Sequence, residues 1–434
     1  MPDTIQAPEA GTTPAPGQAS LWRNPDFLKI WAAQTTAQLG SLLGVLPFVA
    51  ILILDARPYQ MAVLAGATTA ARLAFGLGAG VWIDRKRRRI VLVIADFARA
   101  VSVASLAVAY FWFELEIGHL YVVAFINGSM GVFHDVAYPA YIPSLIGKER
   151  LLEANSKISA SGAVVEQISF SIGGFIAQLA SAITAGVVQA VTFVISGLLT
   201  LAIRKPEPPP RSTGSDSNIR SELIEGYRFI FGHPVLRLMA VSDALLAASG
   251  GIIGGMITLF ALTEVGFQPG PLGVIYATGG ISSFIGAIYA TRVTRKIGVG
   301  RTLSFGLIIP GLIGFLIPLA PTEIWLAAIF FLIPQLLGDG IWILHDINEI
   351  SLQQTVTPEH LRGRVGSAIN VAETSAALIG VALAGVVAEL AGLRWALGMG
   401  FVFTIAAGAV YLHPAIRQLK SLSQLSARGD AADH

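Results

Sequence analysis

Apolar runs of about 20 residues return along the whole chain, and every second break between them carries Lys and Arg. A helix rises about 1.5 Å per residue, so a run of about 20 crosses the roughly 30 Å hydrocarbon layer of a bilayer. The pattern predicts twelve membrane-spanning helices, at 26–54, 60–83, 90–113, 119–146, 152–180, 183–203, 235–263, 271–294, 301–320, 323–355, 363–391 and 393–412. One set of turns falls around Pro58, Glu116-Ile117-Gly118, Ser181-Ala182, Gln268-Pro269-Gly270, Pro321-Thr322 and Ala391-Gly392, with Arg57 and Arg394 its only positive charges. The opposite set holds Arg85-Lys86-Arg87-Arg88-Arg89, Lys148 and Arg150, Arg204, Lys205, Arg211 and Arg220, then Arg292, Arg295, Lys296 and Arg301, and Arg362 and Arg364. Arg23 at one end, and Arg417 with Lys420 at the other, join the same side. Lys and Arg favour the cytoplasmic side. The expectation is a multi-pass protein of the cytoplasmic (inner) membrane with both termini cytoplasmic.

One break is long. Pro206, Pro208, Pro209 and Pro210 stop the sixth run, and Ser212–Asn218 is polar. From Ser221 to Ile230 the apolar spacing is that of an amphipathic helix, expected at the cytoplasmic membrane face. The predicted organisation is a disordered cytoplasmic tail (1–22), a six-helix bundle (23–203), a linker with an interfacial helix (204–234), a second six-helix bundle (235–413) and a cytoplasmic tail (414–434). An offset of 211 overlays His134-Asp135 on His345-Asp346 without gaps, Ser156 on Ser367, and Gly174 and Ala177 on Gly385 and Ala388. Two parallel repeats imply a pseudo-two-fold axis along the membrane normal and a cavity between the halves. The predicted fold class is therefore all-α, twelve helices in two pseudo-symmetric bundles.

Composition narrows the chemistry. Of 434 residues 54% are hydrophobic and 13% charged, too apolar a surface for a soluble protein. The basic clusters sit at span ends rather than along one helix face, which argues against nucleic-acid binding. Cysteine is absent, so disulfides and thiolate metal sites are excluded. There is no Walker sequence for coupling to ATP, and no nucleophile–base constellation of an enzyme. No cofactor is expected.

Ionisable groups at mid-membrane are costly and tend to face a water-filled cavity. Span four carries Gly131, His134, Asp135 and Tyr138 along one face, and span ten carries Gly338, Trp342, His345, Asp346 and Glu349. Asp243 in span seven, Glu166 in span five, Glu373 in span eleven and Arg72 in span two are further intramembrane charges. A divalent ion would need His134 and Asp135 to converge. Neighbours on a helix point about 100° apart, so no metal site is expected. Arg72 is placed to pair with Asp135 or to meet an anionic substrate. Asp96 and Arg99, one turn apart, are expected to pair.

Three segments resemble the major facilitator superfamily, and within it the drug and siderophore exporters typified by enterobactin and macrolide exporters. Gly80-Val81-Trp82-Ile83-Asp84-Arg85-Lys86-Arg87-Arg88-Arg89 resembles the loop motif between spans two and three, with Arg87 in place of its second glycine. Leu21 through Trp31 and Gln34 to Leu39-Gly40 is similar to the start of span one. Ser351-Leu352-Gln353-Gln354, Pro358 and Arg362-Gly363-Arg364-Val365 is similar to the loop between spans ten and eleven. The antiporters' proline motif of span five is replaced by Ser171-Ile172-Gly173-Gly174. The resemblance implies that spans one, four, seven and ten line the cavity. It also implies that Asp84, with Gly80, Arg85 and Arg88, meets Arg362 and Arg364 at the start of span eleven and latches the cytoplasmic side.

The expected function is proton-coupled efflux of a hydrophobic or amphipathic small molecule by a monomer that alternates access across the bilayer. His134, Asp135, Asp243, His345, Asp346 and Glu349 are the expected proton-coupling set. Gln34, Arg72, Tyr138, Glu166, Trp342 and Glu373 are the expected substrate contacts. An importer of the same fold and a non-transporting sensor or assembly protein are the alternatives.

Overall fold

The computed structural model describes residues 20–208 and 219–421. Arg211, the polar stretch Ser212–Asn218 and the outer parts of both expected tails lie outside the described residues. Among those described, every regular element is helical. Eleven helices are long and apolar enough to cross a membrane, and Val299–Gly314 is a shorter apolar one. They are α1 (Pro25–Leu52), α2 (Pro58–Asp84), α3 (Arg88–Trp112), α4 (Ile117–Ile146), α5 (Leu151–Leu179), α6 (Ala182–Leu201), α7 (Pro234–Val265), α8 (Pro269–Ile297), α9 (Val299–Gly314), α10 (Ile324–Val356), α11 (Arg362–Ala391) and α12 (Leu393–Val410). A linker helix, Ile219–Gly232, lies between α6 and α7.

Local chemistry sets these boundaries. Asn24 Oδ1 accepts from the N–H groups of Asp26 and Phe27, and Pro25 opens α1 with its φ already helical. Inside α1 the helix breaks at Gly44, whose φ of 70° only glycine adopts easily; a side chain there would also strike Phe170. Pro334 has no N–H to donate, and α10 passes through a π-turn at Pro334–Gly338. α9 ends at Gly314 and gives way to turns over 315–319, so its regular helix is shorter than the predicted 301–320.

The first six helices pack together, and so do the last six. Between the halves, α2 lies against α11 and α5 against α8. These contacts crowd toward the helix ends away from the termini. Gly385 of α11 meets Ala62 and Tyr59, Gly66 of α2 meets Leu378 and Val381, Gly174 of α5 meets the Pro269 carbonyl, and Gly273 of α8 meets Ser171. Small residues there let the backbones approach closely. On the side of the termini, α2 and α11 instead flank a cleft of about 560 Å³, lined by Arg72, Gly76, Gly80, Asp84, Arg364 and Asn370 among others. Phe111, Trp112 and Phe113 at the end of α3, and Trp325 and Trp395 at the starts of α10 and α12, are exposed on the closed side. Such rings belong at the headgroup level of a bilayer.

Candidate functional site

In the first half, α3 buries an ion pair. Arg99 Nη2 donates to Asp96 Oδ1 at 2.5 Å, and Ser196 Oγ donates to Asp96 Oδ2 at 2.6 Å. The Arg99 guanidinium also lies 4.4 Å from the Phe193 ring centre. The expected Asp96–Arg99 pair is thus present. His134 joins it from α4, with Nε2 3.7 Å from Asp96 Oδ1 and its ring stacked on Tyr138. His134 is only 5% exposed, and Tyr138 is buried too. These two therefore do not face the central cavity as expected; they turn into their own bundle. Asp135, the next residue, has its Oδ1 3.9 Å from His134 Nδ1, yet its side chain is 68% exposed. It opens on a chamber of about 260 Å³ with Arg72, Arg99, Asn127 and Gln189. Arg72 also lines the central cleft, so it stands where the two spaces meet. Arg72 and Asp135 share that chamber, with no ion pair between them among the described residues. Gln34 is half-buried on α1, and its Oε1 has no hydrogen-bond partner among the described residues. Glu166 on α5 is exposed.

The second half is arranged differently. His345 is completely buried, its Nδ1 3.0 Å from the Leu303 carbonyl and its ring edge-on to Tyr411. A carbonyl only accepts, so Nδ1 is the donor and Nε2 faces Glu349 Oε2 at 3.0 Å. On its other side Glu349 of α10 lies beside the Asp243 carboxyl of α7. Two carboxylates side by side in a buried site repel, and a proton on either one relieves that repulsion. Asp346 on α10 and Glu373 on α11 are half-buried and lie within the electrostatic reach of Glu349. Asp243, His345, Glu349, Asp346 and Glu373 are thus one neighbourhood, while His134 and Asp135 belong to another half. Like His134, His345 is removed from the cavity wall. The shared His-Asp sequence hides unlike partners, because the 211 offset sets Tyr138 against Glu349 and Asp96 against Leu307.

Sequence reasoning passed over Asp339. It lines a cavity of about 540 Å³ inside the second bundle with Gln335, Trp342 and Ser249, and it packs where Gly279 of α8 has no side chain. Its signal was the spacing Asp339, Trp342, Asp346 on one face of α10. Asn127 and Gln189 were also unmarked, being uncharged.

At the mouth of the central cleft, Asp84 at the end of α2 pairs with Arg88 at the start of α3 at 3.2 Å. Arg364 pairs with Glu225 of the linker helix at 2.6 Å. Arg362 donates to the carbonyls of Gln354 and Thr357. The expected contact between Asp84 and the start of α11 is not made, because the cleft separates them. Gly80 and Arg85 stand at the same rim, with open space around Gly80.

Two six-helix halves, closed at one end and parted at the other, with titratable groups between and within them, define a multi-pass membrane transporter. The chain belongs to the Major Facilitator Superfamily, whose model matches residues 30–380. It is 27% identical over 388 residues to the multidrug efflux pump Tap of Mycolicibacterium fortuitum, spanning 86% of this chain and 91% of that one. It is 26% identical over 385 residues to the enterobactin exporter EntS of Salmonella typhi, spanning 84% and 86%. Its fold resembles the inward-facing crystal structure of a bacterial homologue of the iron transporter ferroportin, with a TM-score of 0.69, 17% identity, and coverage of 91% and 99%.

Proposed function

We propose that this chain exports a hydrophobic or amphipathic small molecule across the cytoplasmic membrane in exchange for protons. The observation that carries the reading is the buried row Asp243–Glu349–His345, with His345 Nε2 3.0 Å from Glu349 Oε2, which bridges α7 and α10 beside α11. Protonation of any member changes the charge of the whole row, and burial makes each such change energetically large. α7 and α11 are also packed against the moving partner, α2. Loading and unloading a proton there biases how the two halves meet.

The basic clusters support a cytoplasmic side for the termini, and on that reading the open cleft faces the cytoplasm. A substrate entering it passes Asn370 and Thr374 and reaches Arg72, beyond which lies the chamber with Asp135, Asn127 and Gln189. The names of the relatives Tap and EntS support the outward direction. The test uses proteoliposomes with an imposed pH gradient, with fluorescent amphiphiles and siderophores as probes. Gradient-dependent transport of at least one probe, with proton movement in the opposite direction, is the expected result. Transport that ignores the gradient would sink the coupling, and proton and substrate movement in the same direction would make the chain an importer.

A further inference from the structure

In each half, the segment after the last span folds back beneath the helix that follows the second loop. In the first half it brings a carboxylate. Glu207 Oε1 accepts from the Arg88 N–H at 2.8 Å and Oε2 from the Arg89 N–H at 3.2 Å, at the N-terminus of α3. An anion there satisfies N–H groups that have no partner inside the helix and complements the helix dipole.

The same offset of 211 that relates the halves sets Val299 and Gly300 at Arg88 and Arg89, and Gln418 at Glu207. In the second half the returning segment is docked as firmly. The Gly300 N–H donates to the Leu419 carbonyl at 3.0 Å, Gly300 lies against the backbone of Ile416, and both Ile416 and Leu419 are buried. It brings no carboxylate. Arg417 and Lys420 instead join Arg295, Lys296 and Arg301 around a pocket of about 700 Å³ whose lining holds no acid among the described residues. Among the described residues Arg295, Lys296, Arg301 and Arg417 make no ion pair. A second space of about 280 Å³ shares Arg301 and Arg417 and continues along Ser304 and Phe305. Phe305 and Leu412, which border it, are exposed apolar side chains.

We propose that this pocket binds the phosphate headgroup of an anionic phospholipid, with an acyl chain laid over Phe305 and Leu412. The headgroup stands in for the carboxylate that Glu207 supplies in the other half. Arg295, Lys296, Arg301 and Arg417 around one space repel one another, and an anion seated among them offsets that repulsion. The pocket lies at the end of membrane helices on the basic side, where anionic headgroups are concentrated. The apolar annex favours a lipid over a free anion, because only a lipid covers both parts.

The test titrates the purified protein in a neutral detergent with phosphatidylglycerol, phosphatidylcholine or inorganic phosphate, and reads the thermal unfolding midpoint by tryptophan fluorescence. Phosphatidylglycerol should raise it saturably, and phosphatidylcholine should not. The double variant Arg301→Gln/Arg417→Gln should need roughly 20-fold more phosphatidylglycerol, at about fivefold per cation removed. Arg292→Gln, nearly one turn earlier on α8 and outside the pocket lining, should titrate as the wild type does. Gln418→Glu restores the internal carboxylate; it should raise the lipid-free midpoint and weaken the response to phosphatidylglycerol. This last variant adjudicates if the double variant does not fold. An unchanged titration in Gln418→Glu, or an equal loss in Arg292→Gln, overturns the proposal. Full stabilisation by millimolar inorganic phosphate overturns the lipid assignment.

Discussion

Arg364 of α11 reaches Glu225 of the linker helix at 2.6 Å, while Asp84, on the opposite wall of the same cleft, is held by Arg88 at 3.2 Å. Each pair stays on its own wall of the cleft, and both are partly exposed. In the proposed transport cycle, closing the cleft brings Arg364 toward Asp84, and Glu225 then competes for the same cation and favours the parted state. An exposed pair contributes about 0–1 kcal/mol, and so shifts a two-state population by no more than about fivefold. Glu225→Gln should therefore enrich the closed-cleft form within that limit. The chain has no cysteine, so spin labels at Val81→Cys and Ser367→Cys read the cleft width without background. An unchanged distance distribution would remove Glu225 from the gate.

Replacing Asp243 with Asn, or Glu349 with Gln, removes a titratable group from the proposed coupling row while keeping its shape. In proteoliposomes either variant should lose pH-driven accumulation, whereas exchange of labelled for unlabelled substrate at equal pH should persist. Loss of exchange as well would mean the pair holds structure rather than coupling.

Gly174 lies against the Pro269 carbonyl where α5 and α8 close the side away from the termini. Gly174→Val forces a side chain between the two halves. Overpacking of this kind costs about 1–3 kcal/mol, and here the cost falls only on the state in which the halves touch at that end. The variant should expose Ser171→Cys to a membrane-impermeant maleimide many times faster than the parent does. Equal labelling would show that this contact does not part during the cycle.

Asp96 is completely buried and Arg99 nearly so, and Ser196 and His134 surround them. Removing one partner leaves a buried charge uncompensated. Asp96→Asn should destabilise the protein by about 3–5 kcal/mol, against less than about 1 kcal/mol for Asp84→Asn at the exposed pair. Thermal unfolding of the two variants side by side measures the contrast.

His233 sits between the linker helix and α7, and its Nδ1 accepts from the Leu236 N–H as the cap of α7. Burial pushes its pKa below the ordinary imidazole value. The folded state therefore prefers the neutral ring. Its contribution is present above the unfolded imidazole pKa of about 6.5 and is lost as pH falls through the lower folded value. His233→Asn keeps a capping acceptor that does not titrate, so this part of the acid destabilisation should vanish from a pH series of unfolding midpoints.

The sequence by itself determined the number of spans, their boundaries to within a few residues at most ends, and the pairing of Asp96 with Arg99. Hydrophobic length and a one-turn spacing are local quantities, and the bilayer reads them directly. It did not determine which way His134 and His345 face. Both belong to the same His-Asp pattern, yet one turns to Asp96 of α3 and the other to Glu349 and the Leu303 carbonyl. Rotation of a helix about its axis is set by the helices packed around it, which periodicity in an apolar span scarcely records. Only the tertiary structure joined Asp243 to Glu349, and only it left Asp84 and Arg364 on opposite walls of an open cleft. Those relationships depend on how two halves meet, and a charge-pair partner distant in sequence leaves no mark on either residue's own neighbourhood.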